Sequence, residues 1–223
     1  MIAPLRSSFS DRRIAVVASL AVLSLFVLAM MIARVVYTRT FEHAGIAWNL
    51  FLAWVPFVLA LVVYVRSRSG RSRPMLVALG SLWLLFFPNA PYIVTDLKHI
   101  GRGGGIPVLY DVLLLSAAAW AGLLLGLSSL FLMHAVARRL LGFVSAWALV
   151  VAVLAASSFG IYLGRVQRWN SWDVFVRPGA LLGQIANGFH AAPLALTVLL
   201  TSFLLASYLV FYSFARTSAL IRD

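Results

Sequence analysis

Polar and apolar positions along this chain do not alternate; they separate into long blocks. Six apolar runs near the 20 residues needed to cross a hydrocarbon core occupy 14–33, 45–65, 75–94, 107–133, 140–164 and 191–214. Short stretches rich in arginine, glycine or proline divide them. The pattern predicts an all-α, polytopic membrane bundle of six transmembrane helices, forming one domain over 1–223. The first run is too long for the core of a signal peptide and leads straight into Arg34, so it reads as a retained span.

The third run differs from the rest. Within Phe86–Leu97, Pro88 and Pro91 each remove a backbone N–H and disfavour helix at the residue before. The reading is a helix from Met75 to Phe87, a break at Pro88–Ala90 and a short second helix from Pro91 to Ile100, ended by Gly101. At α-helical spacing Ile93, Val94, Leu97 and Ile100 share one face, and Tyr92, Thr95, Asp96 and His99 lie toward the other. Such a break frees carbonyls near Leu84 and Phe87, which a membrane protein tolerates only beside protein or water. A polar cavity near this break is therefore expected. The alternative is a plain proline stop at the end of a span.

Composition agrees with the blocks. The chain is 63% hydrophobic and only 11% charged, with a mean hydropathy of +0.99, against about 25% charged residues in an ordinary soluble domain. With no cysteine, disulfide scaffolds, thiolate zinc sites and thiol nucleophiles are excluded. The net charge of +12 does not mark a nucleic-acid binder, because the arginines sit in clusters between spans.

Those clusters give a direction. The N-terminus, the 66–74 loop, the 134–139 loop and the C-terminus hold 11 Lys and Arg; the other three loops hold 7 over longer stretches. The positive-inside bias then puts both termini in the cytoplasm. Arg66, Arg68, Arg71 and Arg73 read either as an orientation signal or as a patch for anionic lipid or a partner. On this topology Glu42, Asp96, Asp111 and Asp173 all fall outside, with His43, His99 and His190.

The run from Leu85 to Asp96, Leu-Phe-Phe-Pro-Asn-Ala-Pro-Tyr-Ile-Val-Thr-Asp, is followed by Asp111 at the start of the next span. It resembles the signature of an uncharacterised bacterial membrane-protein family of about six spans, a domain of unknown function. The resemblance runs from the second span through the sixth. It implies a protein of the bacterial inner membrane and carries no activity, substrate or catalytic residue.

Three polar residues are expected at one depth. Asn49 and Asp111 each lie four residues, about 6 Å, inside the start of a span, and Asn89 lies in the break. A membrane-embedded Asp needs pairing or water, and Arg165 or Arg168 is the expected partner of Asp111. The candidate pocket therefore gathers Asn49, Asn89, Tyr92, Asp96, His99, Asp111, Arg165, Arg168, Trp169, Asn170, Trp172 and Asp173. In the 165–190 loop Trp169 and Trp172 suit the headgroup level, and Pro178 opens an interfacial helix with Leu181, Leu182, Ile185 and Phe189 on one side. This loop is a plain connector or a lid.

Weaker signals point elsewhere. Gly101–Gly105 lacks the Lys-Ser/Thr ending of a phosphate loop and reads as a hinge. Asp96 and His99 at i, i+3 offer two metal ligands without a third, so no metal and no cofactor is expected. Glu42-His43 reads as a solvated flank. Trp83, Trp120 and Trp147 read as packing residues. Three function classes remain. The first is an envelope accessory protein that binds a lipid headgroup or envelope precursor, with membrane lipids, an anionic lipid among them, and a membrane protein as partners. The second is a small transporter. The third is a membrane-embedded transferase or hydrolase using Asp96, Asp111 or His99 as acid or base.

Overall fold

In the computed structural model, residues 3–69, 72–101, 105–166, 176–180, 183 and 191–220 are described. They form helices α1 (Ala3–Thr38), α2 (Gly45–Arg68), α3 (Arg73–Phe86), α4 (Asn89–Tyr92), a 3₁₀ helix (Ile93–His99), α5 (Val108–Leu141), α6 (Phe143–Val166) and α7 (Ala191–Leu220). No strand occurs among the described residues. Among the described residues six stretches are long and apolar enough to span a bilayer: Ile14–Thr38, Gly45–Arg68, Arg73–His99, Val108–Leu141, Phe143–Val166 and Pro193–Thr217. This is a multi-pass helical membrane protein.

α5 is the central helix. It packs against α1, α2, α4, the 3₁₀ helix, α6 and α7, and half of its apolar window is buried inside the protein, against 11% for α7. Its sequence explains the position. Ala118, Ala121, Gly122, Leu125 and Gly126 lie on its buried surface, and small side chains let neighbouring backbones come close, which is how helices associate in lipid. The outer surfaces of α1 and α7 keep Leu25, Phe26, Val198, Leu199 and Val210 exposed, as lipid-facing residues should be.

The third span is broken, though not in the register expected. α3 ends at Phe86, one turn is made by Phe87 and Pro88, and helix resumes at Asn89. Pro91 sits inside the new helix, not at its start. It is tolerated because the first four N–H groups of a helix have no internal acceptor anyway. The carbonyl of Phe87 is not left open: it accepts the N–H of Ala90 at 3.1 Å. The side chain of Asn89 closes the break from the other side, donating from Nδ2 to the carbonyl of Phe86 at 2.9 Å.

This break lies against α5. A Cβ on Gly122 would stand 2.6 Å from the carbonyl oxygen of Ala90, and one on Gly126 would stand 3.3 Å from the Ala90 Cβ. On α6, Gly160 faces Pro88 with ordinary contact distances. Ala90, Phe87 and Ile93 are all buried. The two glycines of α5 thus form the groove into which the Pro-Asn-Ala-Pro turn is set.

At one end of the bundle α1 ends, α2 and α5 begin, and the 3₁₀ helix and α6 end. Here are the ion pairs. At the opposite end α2 ends and α5 turns into α6 through Gly142, whose φ of +85° suits a residue without a Cβ.

Candidate functional site

The 3₁₀ helix decides which way Asp96 points. With three residues per turn, positions i and i+3 eclipse, so Ile93, Asp96 and His99 form one row. Ile93 is fully buried and Asp96 is only 6% exposed. The α-helical reading, which put Asp96 toward the polar side, is corrected: at 3.6 residues per turn Asp96 stands about 60° from Ile93, and the tighter period brings the two into line.

Buried against the bundle, Asp96 is held through both of its oxygens. Its Oδ1 accepts from Nη2 of Arg165 on α6 at 2.6 Å, and its Oδ2 accepts from Nδ2 of Asn49 on α2 at 2.9 Å. The same guanidinium donates through Nε to Oγ1 of Thr95 at 2.7 Å, and through Nη2 to that hydroxyl as well. It also lies 4.2 Å from the ring centre of Tyr92, within cation–π range. Four of the candidate residues, Asn49, Tyr92, Asp96 and Arg165, therefore meet around one carboxylate. They tie α2, the broken span and α6 together.

Beside this cluster is a cavity of about 220 Å³, lined by Glu42, His43, Gly45, Ile46, Asn49, Asp96, His99 and Leu115. His43, read from the sequence as part of a solvated flank and not as a site residue, is corrected by the structure. It is 5% exposed, and neither ring nitrogen has a hydrogen-bond partner. Buried polar atoms are nearly always satisfied, and leaving one unsatisfied costs about 1–3 kcal/mol. Glu42 remains exposed, as a span flank should. The pair's position just before the first turn of α2 gave no sign that its second member turns inward.

Asp111 is not part of this cavity. Its Oδ1 accepts from Nε of Arg34 at 2.7 Å and its Oδ2 from Nη2 at 3.4 Å. Arg34 is 1% exposed and Asp111 2%. The expected pairing of Asp111 with Arg165 is thus corrected: Arg165 is taken by Asp96, and the last turns of α1 bring Arg34 to α5 instead. Nearby, Tyr110 donates to the carbonyl of Met30 at 2.7 Å, so the two adjacent residues of α5 clamp the same helix end.

Asn89 is also set apart. The break it closes faces Gly122, eleven residues beyond Asp111 on α5, which is about 16 Å along the helix. The three polar residues expected at one depth therefore divide. Asn49 joins Asp96, Asp111 joins α1, and Asn89 holds the backbone of the break deeper in the bundle. His99 lines the cavity. Arg168, Trp169, Asn170, Trp172 and Asp173 lie outside the described residues, as does most of the interfacial helix expected from Pro178. Among the described residues no group of three His, Cys, Asp or Glu side chains is placed to hold a metal ion.

The span from Asn49 to Arg165, with the broken helix between them, falls within residues 48–207, which match the profile of one protein family. The chain belongs to DUF1361. That family is described as protein of unknown function, so membership fixes kinship and no chemistry. No curated protein and no solved structure matches the chain. Within the DUF1361 match lie Asn49, Asn89, Tyr92, Asp96, His99, Asp111 and Arg165; Arg34, Glu42 and His43 precede it.

At the opposite end a second polar cluster is buried. Nδ1 of His134 lies 2.7 Å from the Tyr208 hydroxyl, the imidazole stacks on Tyr212 with ring centres 5.3 Å apart, and Trp147 meets it edge-on. Arg138 donates to the Tyr212 hydroxyl at 2.8 Å. This cluster fastens α7 to α5 and α6. Between the two ends, Trp83 donates to Oγ of Ser129 at 2.6 Å, and Ser129 to the carbonyl of Pro56 at 3.2 Å. Trp147 thus packs in a polar cluster, Trp83 is buried and bonded, and Trp120 is exposed.

Proposed function

We propose that the cavity beside Asp96 holds the polar headgroup of a membrane lipid or a lipid-linked envelope precursor, and that the protein is a binding component of the bacterial envelope. One observation carries this reading: a buried imidazole, His43, with both nitrogens unpartnered, lines a cavity of about 220 Å³ at the end of an apolar bundle, beside Glu42, Asn49, Asp96 and His99. Something with hydrogen-bonding capacity belongs there.

The walls favour one side of a headgroup. They offer the carboxylates of Glu42 and Asp96, the imidazoles of His43 and His99 and the amide of Asn49. The neighbouring guanidinium, Arg165, is committed to Asp96 and Thr95. Acceptors on this wall suit ammonium or hydroxyl groups. An amino-alcohol or sugar headgroup therefore fits better than a bare phosphate. With both termini in the cytoplasm, as the arginine bias implies, the cavity opens on the extracytoplasmic face. A reporter fused near residue 103 is expected to read extracytoplasmic; a cytoplasmic reading overturns the sidedness.

The test is untargeted lipid and metabolite analysis of the purified protein. Wild type is expected to carry an enriched species that Asp96→Asn and His43→Phe both lose. Identical profiles in all three overturn the proposal. A second reading, acid–base catalysis on the same ligand, is favoured by the two carboxylates and two imidazoles around one cavity. It is distinguished by chemical change of the enriched species on incubation with wild type and none with Asp96→Asn.

A further inference from the structure

The opposite end of the bundle has a larger cavity, about 410 Å³, where the last turn of α2 meets the last turns of α5. Its polar walls are Arg68 and Arg139 with Tyr64 and Ser67, and its floor is Ala135 and Val136. Its electrostatics are the reverse of the Asp96 cavity. The described carboxylate side chains, Glu42, Asp96 and Asp111, are all at the other end. Among the described residues neither Arg68 nor Arg139 has a carboxylate partner.

One of the two guanidinium groups is held in position. Nη1 of Arg68 donates to the Tyr64 hydroxyl at 2.9 Å, and its guanidinium carbon lies 5.6 Å from the centre of the same ring. Ser67 in turn donates to the Tyr64 carbonyl at 2.8 Å, which fixes that last turn of α2. By contrast, Arg138, the neighbour of Arg139, is spent on Tyr212 and Phe143. Sequence clustering alone treats all these arginines as equal contributors to orientation. The side chains separate them into those used internally and those facing a cavity.

We propose that this cavity is a binding site for a phosphate-bearing anion, and specifically for the headgroup of an anionic phospholipid. Guanidinium groups match phosphate oxygens in charge and in donor geometry. The cavity is at the ends of two candidate spans, α2 and α5, where lipid headgroups meet a bundle of this kind. This site is independent of the Asp96 cavity and of any function assigned there.

The test uses the full chain in detergent, titrated with phosphatidylglycerol, phosphatidylcholine, glycerol 3-phosphate and inorganic phosphate, with bound species counted by native mass spectrometry. Phosphatidylglycerol is expected to bind at least about tenfold more tightly than phosphatidylcholine. Each arginine near an anionic surface is worth about fivefold in affinity, so Arg68→Gln with Arg139→Gln should weaken phosphatidylglycerol binding about 10- to 30-fold. Arg216→Gln, which removes a charge on α7 that does not line the cavity, should leave it unchanged. Wild-type affinity in the double variant overturns the site. So does an equal loss in Arg216→Gln, which would mean that only net surface charge is felt. Glycerol 3-phosphate or inorganic phosphate binding as tightly as phosphatidylglycerol overturns the lipid assignment. Tyr64→Phe, which releases Arg68 without changing charge, is expected to give a smaller loss of the same sign and serves as a folded control.

Discussion

Arg34 and Asp111 stand 77 positions apart in the chain and form an ion pair of 2.7 Å that is almost sealed from the surface. Removing one partner of such a pair leaves an uncompensated charge, which in protein interiors costs about 3–5 kcal/mol. We expect Asp111→Ala to lower the unfolding midpoint in detergent strongly. Replacing both residues together, as Arg34→Met with Asp111→Leu, should recover most of that loss. A double variant no more stable than Asp111→Ala would show that the pair is not what the single change disrupts.

Asp111→Asn should also separate structure from binding. Asp111 is outside the Asp96 cavity, so its effect on any bound headgroup is expected to follow protein stability. Lipid profiles measured on folded Asp111→Asn protein should match wild type, whereas those of Asp96→Asn should not.

His43 offers the reverse separation. A buried imidazole without partners is a burden on the empty fold, because its polar atoms lose water and gain nothing. His43→Phe is expected to leave thermal stability unchanged or raise it by about 1–2 kcal/mol, while removing headgroup retention. Marked destabilisation by this change would argue that the imidazole serves the fold.

The glycines of α5 give a graded prediction. Gly122→Ala forces a methyl group to within 2.6 Å of a backbone carbonyl, and overpacking of this kind costs about 1–3 kcal/mol. Gly160→Ala meets Pro88 at 3.5 Å and should be tolerated. Expression level and unfolding midpoint of the two variants, measured side by side, check the ranking.

Span number and the interruption at Pro88 were legible because they rest on local rules: run length and proline geometry. The site was legible only in composition. Asn49, Tyr92, Asp96 and Arg165 do meet, but the partner of Asp111 was misread because Arg34 closes its contact across 77 positions. No spacing rule reaches that far. The inward turn of Asp96 was missed for a different reason. A helix that tightens from 3.6 to 3.0 residues per turn swings Asp96 by about 60° into line with the buried Ile93, and nothing in Ile93–His99 announces the tightening. His43 was read as a solvated flank because an Asp, Glu or His beside a span is ordinarily hydrated, and only packing shows that this one is not.

α3 is 14 residues long, about 21 Å of helix, and falls short of a hydrocarbon core about 30 Å thick. The remaining depth is supplied by four residues of α4 and a 3₁₀ helix seated against Gly122 and Gly126. The third span is thus a composite whose lower part is ordinary helix and whose upper part takes its shape from contact with α5, so the turn that positions Asp96 depends on a neighbour that follows it in the chain.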